Sequence, residues 1–270
     1  MKIFQSNQYN SLHYYLMCYP VNFKITDKNN KYYGDINYES LYQQYNNFVN
    51  TLIEEGIKIR FIDINSSEQQ VFTKDIGFVI EDIFFVSNMK KQERKIETKT
   101  LKKLIEDNNL KYYEMKNNIE GGDVIHHGGE IFVGISTRTC IEATYELQKV
   151  LNEKNIDIKV VPIYFDTNNL HLDCVFNTLD KDSCVMSPYV YNVDEIEKYI
   201  KFIYHISKEE ADKLGTNLVY LGDKKVISSN KEVVNILNNN GYKAKFVEYK
   251  EIMKAGGSLA CSTLSLLRHE

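Results

Sequence analysis

Residues 147–163, LQKVLNEKNIDIKVVPI, hold one structural phrase: the end of an amphipathic helix, a polar break, and a strand rich in β-branched residues. The phrase recurs at 101–115, LKKLIEDNNLKYYEM, and at 233–249, VVNILNNNGYKAKFVEY. Upstream, apolar residues at 38, 41, 42, 45, 48, 49, 52 and 53 predict a helix over 38–55 that stops at Gly56 and leads at once into the strand IKIRFIDI, 57–64. A weaker copy, EIEKYIKFIYHI, occupies 195–206. Anchored on Leu52, Leu104, Val150 and Ile236, the copies repeat every 45 residues, roughly, or at about twice that interval. Short strand pairs, GFVIEDIFFVS at 77–87 and VIHHGGEIFVG at 124–134, fall between them.

Five helix–strand units of this kind predict a closed, pseudo-symmetric α/β array. An ordinary α/β sheet whose units merely look alike fits the hydrophobic pattern as well. The placement of polar residues favours the array. A compact polar motif follows the strands at FTKD (72–75), EGGD (120–123), HLD (171–173) and GGSLAC (256–261). Equivalent positions in repeats around an axis converge, so Asp75, Glu120, His171, Asp173 and Cys261 are expected in one central site. Gly121 and Gly122 are expected to turn the chain after Glu120 through φ values that only glycine adopts cheaply.

A cysteine, a histidine and a carboxylate from separate parts of a chain can perform nucleophilic catalysis. Cys261 would attack, His171 would carry protons, and Glu120 would orient the imidazole. Asp75 and Asp173 exceed what that set needs, and several anions around one pocket imply a cationic substrate. A planar guanidinium with its fork of N–H donors matches paired carboxylates.

With these motifs in hand, FTKDIGFV, IEGGDVI followed by IFVGISTRT, HLD and GGSLACSTLSLLR resemble the guanidino-group-modifying superfamily of arginine deiminases, dimethylarginine dimethylaminohydrolases and amidinotransferases. The likeness spans residues 70 to 270 in order and spacing, and is strongest to the dimethylarginine dimethylaminohydrolase branch. It implies the five-bladed α/β propeller, or pentein fold, as a single domain over 1–270. It also implies Cys261 as nucleophile, His171 as general acid and base, Glu120 as its partner, and Asp75 and Asp173 as guanidinium ligands. Arg94 and Arg138 match positions that often hold a substrate carboxylate, with a structural salt bridge as the alternative for each. Lys74 stands where the family carries an acidic residue or arginine. Asp173 follows the arginine deiminase and amidinotransferase pattern and favours an unmethylated guanidino group. The implied reaction is hydrolysis to a ureido product through a thiouronium intermediate, with no metal and no cofactor. Amidino transfer, citrulline hydrolysis and a non-catalytic binding role are the alternatives.

The remaining features bound the function. A formal net charge of -4, a pI near 5.9 and scattered basic residues argue against nucleic acid as a partner. No apolar run reaches membrane-spanning length and the start MKIFQSNQYN lacks a signal core, so no membrane association and a cytoplasmic location are expected. Five cysteines without a CxxC motif fit reduced thiols, with Cys18, Cys140, Cys174 and Cys184 read as small buried hydrophobes. Neighbouring His126 and His127 should point to opposite faces of a strand, which argues against a metal site. The run KKQERKIETKTLKK, 90–103, is expected to be a solvated helix face. The partner expected is a small guanidino or ureido substrate, and the surface leaves room for a homodimer.

Overall fold

The computed structural model describes residues 1–269 and contains five three-stranded sheets. In chain order, β1 (Ser11–Met17) and β2 (Lys58–Phe61) pair with each other, and the next twelve strands fall into four sheets. These are β3 (Gly77–Ile80), β4 (Ile83–Val86) and β5 (Lys111–Glu114); then β6 (Val124–His127), β7 (Glu130–Ile135) and β8 (Lys159–Tyr164). They are followed by β9 (Phe176–Asp180), β10 (Ser183–Met186) and β11 (Phe202–His205), and by β12 (Val219–Gly222), β13 (Lys225–Ser228) and β14 (Lys243–Phe246). Finally β15 (Leu264–His269) returns to pair with β1 and completes the first sheet.

Every sheet has one plan: two strands antiparallel, then a third parallel to the middle one. A parallel third strand requires a crossover, and a helix supplies it each time. The crossovers are Tyr38–Glu54, Lys95–Asp107, Ile141–Glu153, the short Val193–Glu197, and Lys231–Asn239. This is the repeated phrase of the sequence, and the fold is the five-bladed pentein propeller. The first helix starts where the Asn37 side chain accepts from the Ser40 N–H, and ends before Gly56, whose φ of +82° a residue with a side chain would adopt at a cost.

Burial orders the strands within a blade. The first two are almost wholly buried, whereas the third strands β2, β5, β11 and β14 are largely exposed. The helices bury their stripes against the sheets: Leu101, Leu104 and Ile105 join Val79, Phe84 and Val86, and Leu147 and Leu151 join Ile131 and Val133. Each such leucine contributes about 1.5–3 kcal/mol. Among the described residues, no helix is long and apolar enough to cross a membrane.

Candidate active site

The chain enters the first strand of each blade through a tight segment. Thr73–Ile76 precedes β3, Gly121–Asp123 precedes β6 and Leu172–Cys174 precedes β9, each a single 3-10 turn. Residues 216–217 precede β12, and the turns of 258–262 precede β15. The 3-10 turns touch one another, so Asp75, Glu120, His171, Asp173 and Cys261 come together, none of them more than 2% exposed.

The paired glycines serve a different end from the one their sequence suggests. Neither Gly121 nor Gly122 has a positive φ. What they supply is room: a Cβ on Gly121 would lie 2.1 Å from the Lys74 carbonyl oxygen, and one on Gly122 would lie 2.6 Å from His171 Nδ1. The absent side chains let two turns meet and let the imidazole lie against the backbone.

His171 Nε2 and Glu120 Oε2 are 2.9 Å apart. Burial disfavours the imidazolium, but the carboxylates of Asp75 and Asp123, the neighbouring Cys261 and the hydrogen bond with Glu120 outweigh it, holding the His171 pKa well above its usual range. Burial likewise opposes charge on Glu120, yet the hydrogen bond and charge of His171, with Arg94 and Arg138, bring it down to about 2. The pair therefore rests as imidazolium and carboxylate. His171 Nδ1 lies 3.5 Å from Asp75 Oδ1, and neither atom has a hydrogen-bond partner among the described residues. Cys261 Sγ is 3.6 Å from both oxygens of Asp173.

The basic residues divide differently from the expectation. Arg94 is 2% exposed, and its guanidinium meets Asp75 Oδ2 at 2.6 Å, both oxygens of Glu97 at 2.8 and 2.9 Å, and the Phe72 carbonyl at 3.3 Å. The charged run 90–103 is thus not wholly a solvated face, because Arg94 and Glu97 point inward. Arg94 spends its donors holding Asp75 rather than standing open to a substrate carboxylate. Arg94→Ala should lower stability by about 3–5 kcal/mol, because two carboxylates would be left buried and uncompensated; the denaturant midpoint measures it. Arg138 has 11% of its side chain exposed and approaches Glu120 at 3.4 Å, so it retains unused donors at the edge of the site. Lys74 turns toward Asp173, with Nζ 3.1 Å from Oδ2. Two groups, Asp75 with Glu120 and His171, and Asp173 with Cys174 and Cys261, bring ligand atoms within 4.8 Å of one another, as a metal would need. Their carboxylates are already paired with Arg94, His171 and Lys74.

Three supporting residues escaped the reading of the sequence. Asp123, the last residue of EGGD, accepts from Ser136 at 2.7 Å, Thr139 at 2.6 Å and the Leu172 N–H at 2.9 Å, tying the glycine turn to the one bearing His171. Asn217 accepts from the Ala260 N–H at 3.0 Å and donates from Nδ2 to Cys261 Sγ at 3.1 Å. The signal for it was present: GTN, 215–217, precedes β12, the first strand of the fifth blade, where every other blade carries its polar motif. Cys174, read as core filler, lies beside Cys261. Its thiol is the largest influence lowering the Cys261 pKa, against burial and Asp173, with the nearby His171 adding to the effect. Alkylation of Cys261 by iodoacetamide should therefore begin at a lower pH than for an ordinary thiol, near 8.5. Asn217→Ser, which withdraws a donor to the thiolate, should move that profile up in pH.

A family model described as N,N dimethylarginine dimethylhydrolase, eukaryotic, matches residues 21–268. The chain belongs to this family. Within reach of the dimethylarginine dimethylhydrolase family, the uncharacterised protein YkgA of Bacillus subtilis (strain 168) is 32% identical over 97% of this chain and 94% of its own. The fold is shared with the substrate-bound N-terminal domain of the cyanobacterial arginine dihydrolase ArgZ, at 22% identity, TM-score 0.84, and coverage of 94% of this chain and 98% of that one. It is also shared with SxtG, an amidinotransferase from Microseira wollei, at 16% identity, TM-score 0.83, and coverage of 99% and 98%. The family model thus sets the chain in the dimethylarginine dimethylhydrolase family, and the solved structures share its fold.

Proposed function

We propose that the protein is a cysteine-dependent hydrolase of the guanidino carbon of arginine or a close derivative, with Cys261 as nucleophile and His171 as general acid and base. The observation that carries this reading is the buried ion pair of Asp75 Oδ1 and His171 Nδ1, 3.5 Å apart with no hydrogen bond made by either atom, in the site that holds Cys261. A buried acceptor left without a hydrogen bond costs about 1–3 kcal/mol, which a ligand rich in N–H donors would offset. A guanidinium supplies N–H donors to Asp75 Oδ1 and to Asp173, each of which keeps a protein cation on its other side.

The protonation states suit the order of events. The Cys261 thiolate adds to the guanidino carbon, and the imidazolium of His171 gives the Nδ1 proton to the departing nitrogen. The C–N bond breaks, leaving a thiouronium on sulfur. His171, now neutral and still held by Glu120 at 2.9 Å, takes a proton from water as that water adds to the same carbon. The C–S bond then breaks, the thiolate returns, and a ureido product leaves. Every step uses residues of this chain, with no metal or cofactor. Arg138, at the edge, supports binding of a carboxylate at the far end of the substrate. Two aspartates on one guanidinium leave little space for N-methyl groups, which supports an unmethylated substrate.

Incubation of the protein with separate arginine, asymmetric dimethylarginine, agmatine and citrulline, followed by mass spectrometry, tests this. The expected result is a ureido product with release of ammonia. Product formation only with glycine or ornithine added would replace hydrolysis by amidino transfer. No turnover of any compound would overturn the enzymatic reading.

A further inference from the structure

Two cysteines, not one, face the centre of the propeller. Cys174 sits on the turn that bears His171 and Asp173, and Cys261 on the turn before β15. Asp173 Oδ1 is 3.5 Å from Cys174 Sγ and 3.6 Å from Cys261 Sγ. Asn217 Nδ2 is 3.1 Å from Cys261 Sγ and 3.9 Å from Cys174 Sγ. Sharing these neighbours, the two sulfurs lie within 4.8 Å of each other. A disulfide spans about 2.05 Å, so the remaining gap is of the size that side-chain rotation and a small shift of two tight turns can close.

We propose that Cys174 and Cys261 form an oxidisable dithiol, a modification site for hydrogen peroxide or another small hydroperoxide, and that the resulting disulfide reversibly withholds the nucleophile.

The chemistry divides between the sulfurs. The Cys261 thiolate attacks one peroxide oxygen, the O–O bond breaks, and the second oxygen leaves as water after taking a proton; Cys261, oxidised by two electrons, becomes a sulfenic acid. Cys174 sulfur then attacks the sulfenic sulfur, the S–O bond breaks, and the hydroxyl departs as a second water with the Cys174 proton. The sum is two thiols and one peroxide giving one disulfide and two waters, and a dithiol reductant reverses it. The environment favours this order. The proximity of the thiols raises Cys174 and lowers Cys261, so Cys261 is the readier thiolate and Cys174 keeps its proton until it attacks. Elsewhere, burial pushes Cys18 up to about 12 and Cys184 higher still, and neither is grouped with Cys261 as Cys174 is.

The inference shares with the proposed function only the reactivity of Cys261, and its primary readout is a mass, not turnover. Wild-type protein is treated with hydrogen peroxide, alkylated under denaturing conditions, digested and analysed. The expected product is a linked pair of peptides carrying residues 174 and 261, about 2 Da lighter than the two thiol peptides together. Dithiothreitol should abolish the link and restore whatever guanidino turnover was lost. In Cys174→Thr, Cys261 should proceed to sulfinic acid, and the reducible fraction should fall at least fivefold, roughly. Irreversible oxidation of Cys261 in wild type with Cys174 still free to alkylate would overturn the proposal, as would a link through Cys18, Cys140 or Cys184. The wild-type measurement decides even if the variant folds poorly. A 174–261 link in a protein that turns over no guanidine would sustain the dithiol and remove only the hydrolase reading.

Discussion

Cys261→Ala is expected to abolish guanidino turnover, a loss on the order of 10⁵-fold or more, while the fold and substrate binding survive. The reason lies in what the backbone and the side chain separately do. The backbone of residue 261 is held by the Lys74 N–H at 3.0 Å and by Asn217 Oδ1 at 3.3 Å, and alanine keeps both contacts. Only the sulfur of residue 261 is lost, and the neighbouring Cys174 Sγ, 3.9 Å from Asn217 Nδ2, is farther from the donor that meets Cys261 Sγ at 3.1 Å. Asp75 and Asp173 remain to grip a guanidinium, so the variant should still gain thermal stability with substrate while forming no covalent adduct. Turnover by Cys261→Ala within tenfold of wild type, roughly, would remove the nucleophile from the mechanism. His171→Ala should be less severe, about 10²–10⁴-fold, because it removes proton transfer but not the attacking atom.

The glycine pair should separate into one position that governs activity and one that governs stability. In Gly122→Ala the new methyl lies 2.6 Å from His171 Nδ1 and 3.0 Å from Asp75 Oδ1. Both obstacles are side chains, so the fold accommodates them by displacing the imidazole that Glu120 holds. A displacement of about 1 Å at a proton-transfer group costs turnover on the order of 10²-fold. In Gly121→Ala the methyl lies 2.1 Å from the Lys74 carbonyl oxygen and 2.6 Å from that of Gly77. Backbone cannot rotate away, so the turns before β3 and β6 must part, and a loss of about 3 kcal/mol or more in unfolding free energy is expected. Denaturant unfolding and turnover on the same preparations distinguish the two. Equal stability losses at both positions would mean that the imidazole is not the group Gly122 accommodates.

The blade repeat was legible because its signals are local. Leu101, Leu104 and Ile105 form a stripe and Gly56 closes a helix whatever lies across the interface. Glu120, His171, Asp173 and Cys261 were legible as a set because each sits at the same place in the repeat. What escaped depended on contacts between blades. Nothing in GGD announces a carbonyl of Lys74 or a histidine of another blade overhead, so the glycines were assigned to φ and not to space. Glu97 read as surface charge with its run and Arg94 as a holder of a substrate carboxylate, since helical spacing does not reveal that a third group, Asp75, waits between two turns to make their burial tolerable. Cys174 is a lone cysteine in one dimension and a neighbour of Cys261 only in three. Asn217 is the exception, for its place before the fifth blade's first strand was open to inspection in the repeat itself.

The way the ring closes ties function to the history of the chain. The turn bearing Cys261 leads straight into β15, and β15 finds its partner in β1, from the opposite end of the sequence. Such a distant pairing has a high loop-closure entropy and is slow to form relative to the local hairpins and crossovers of the other blades. A growing polypeptide can therefore assemble four blades, with Asp75, Glu120, His171 and Asp173 in place, before the sulfur of Cys261 joins them. On the proposed mechanism, chemical competence then arrives with the closing strand, and chains truncated before the turn that bears Cys261 are expected to show no turnover.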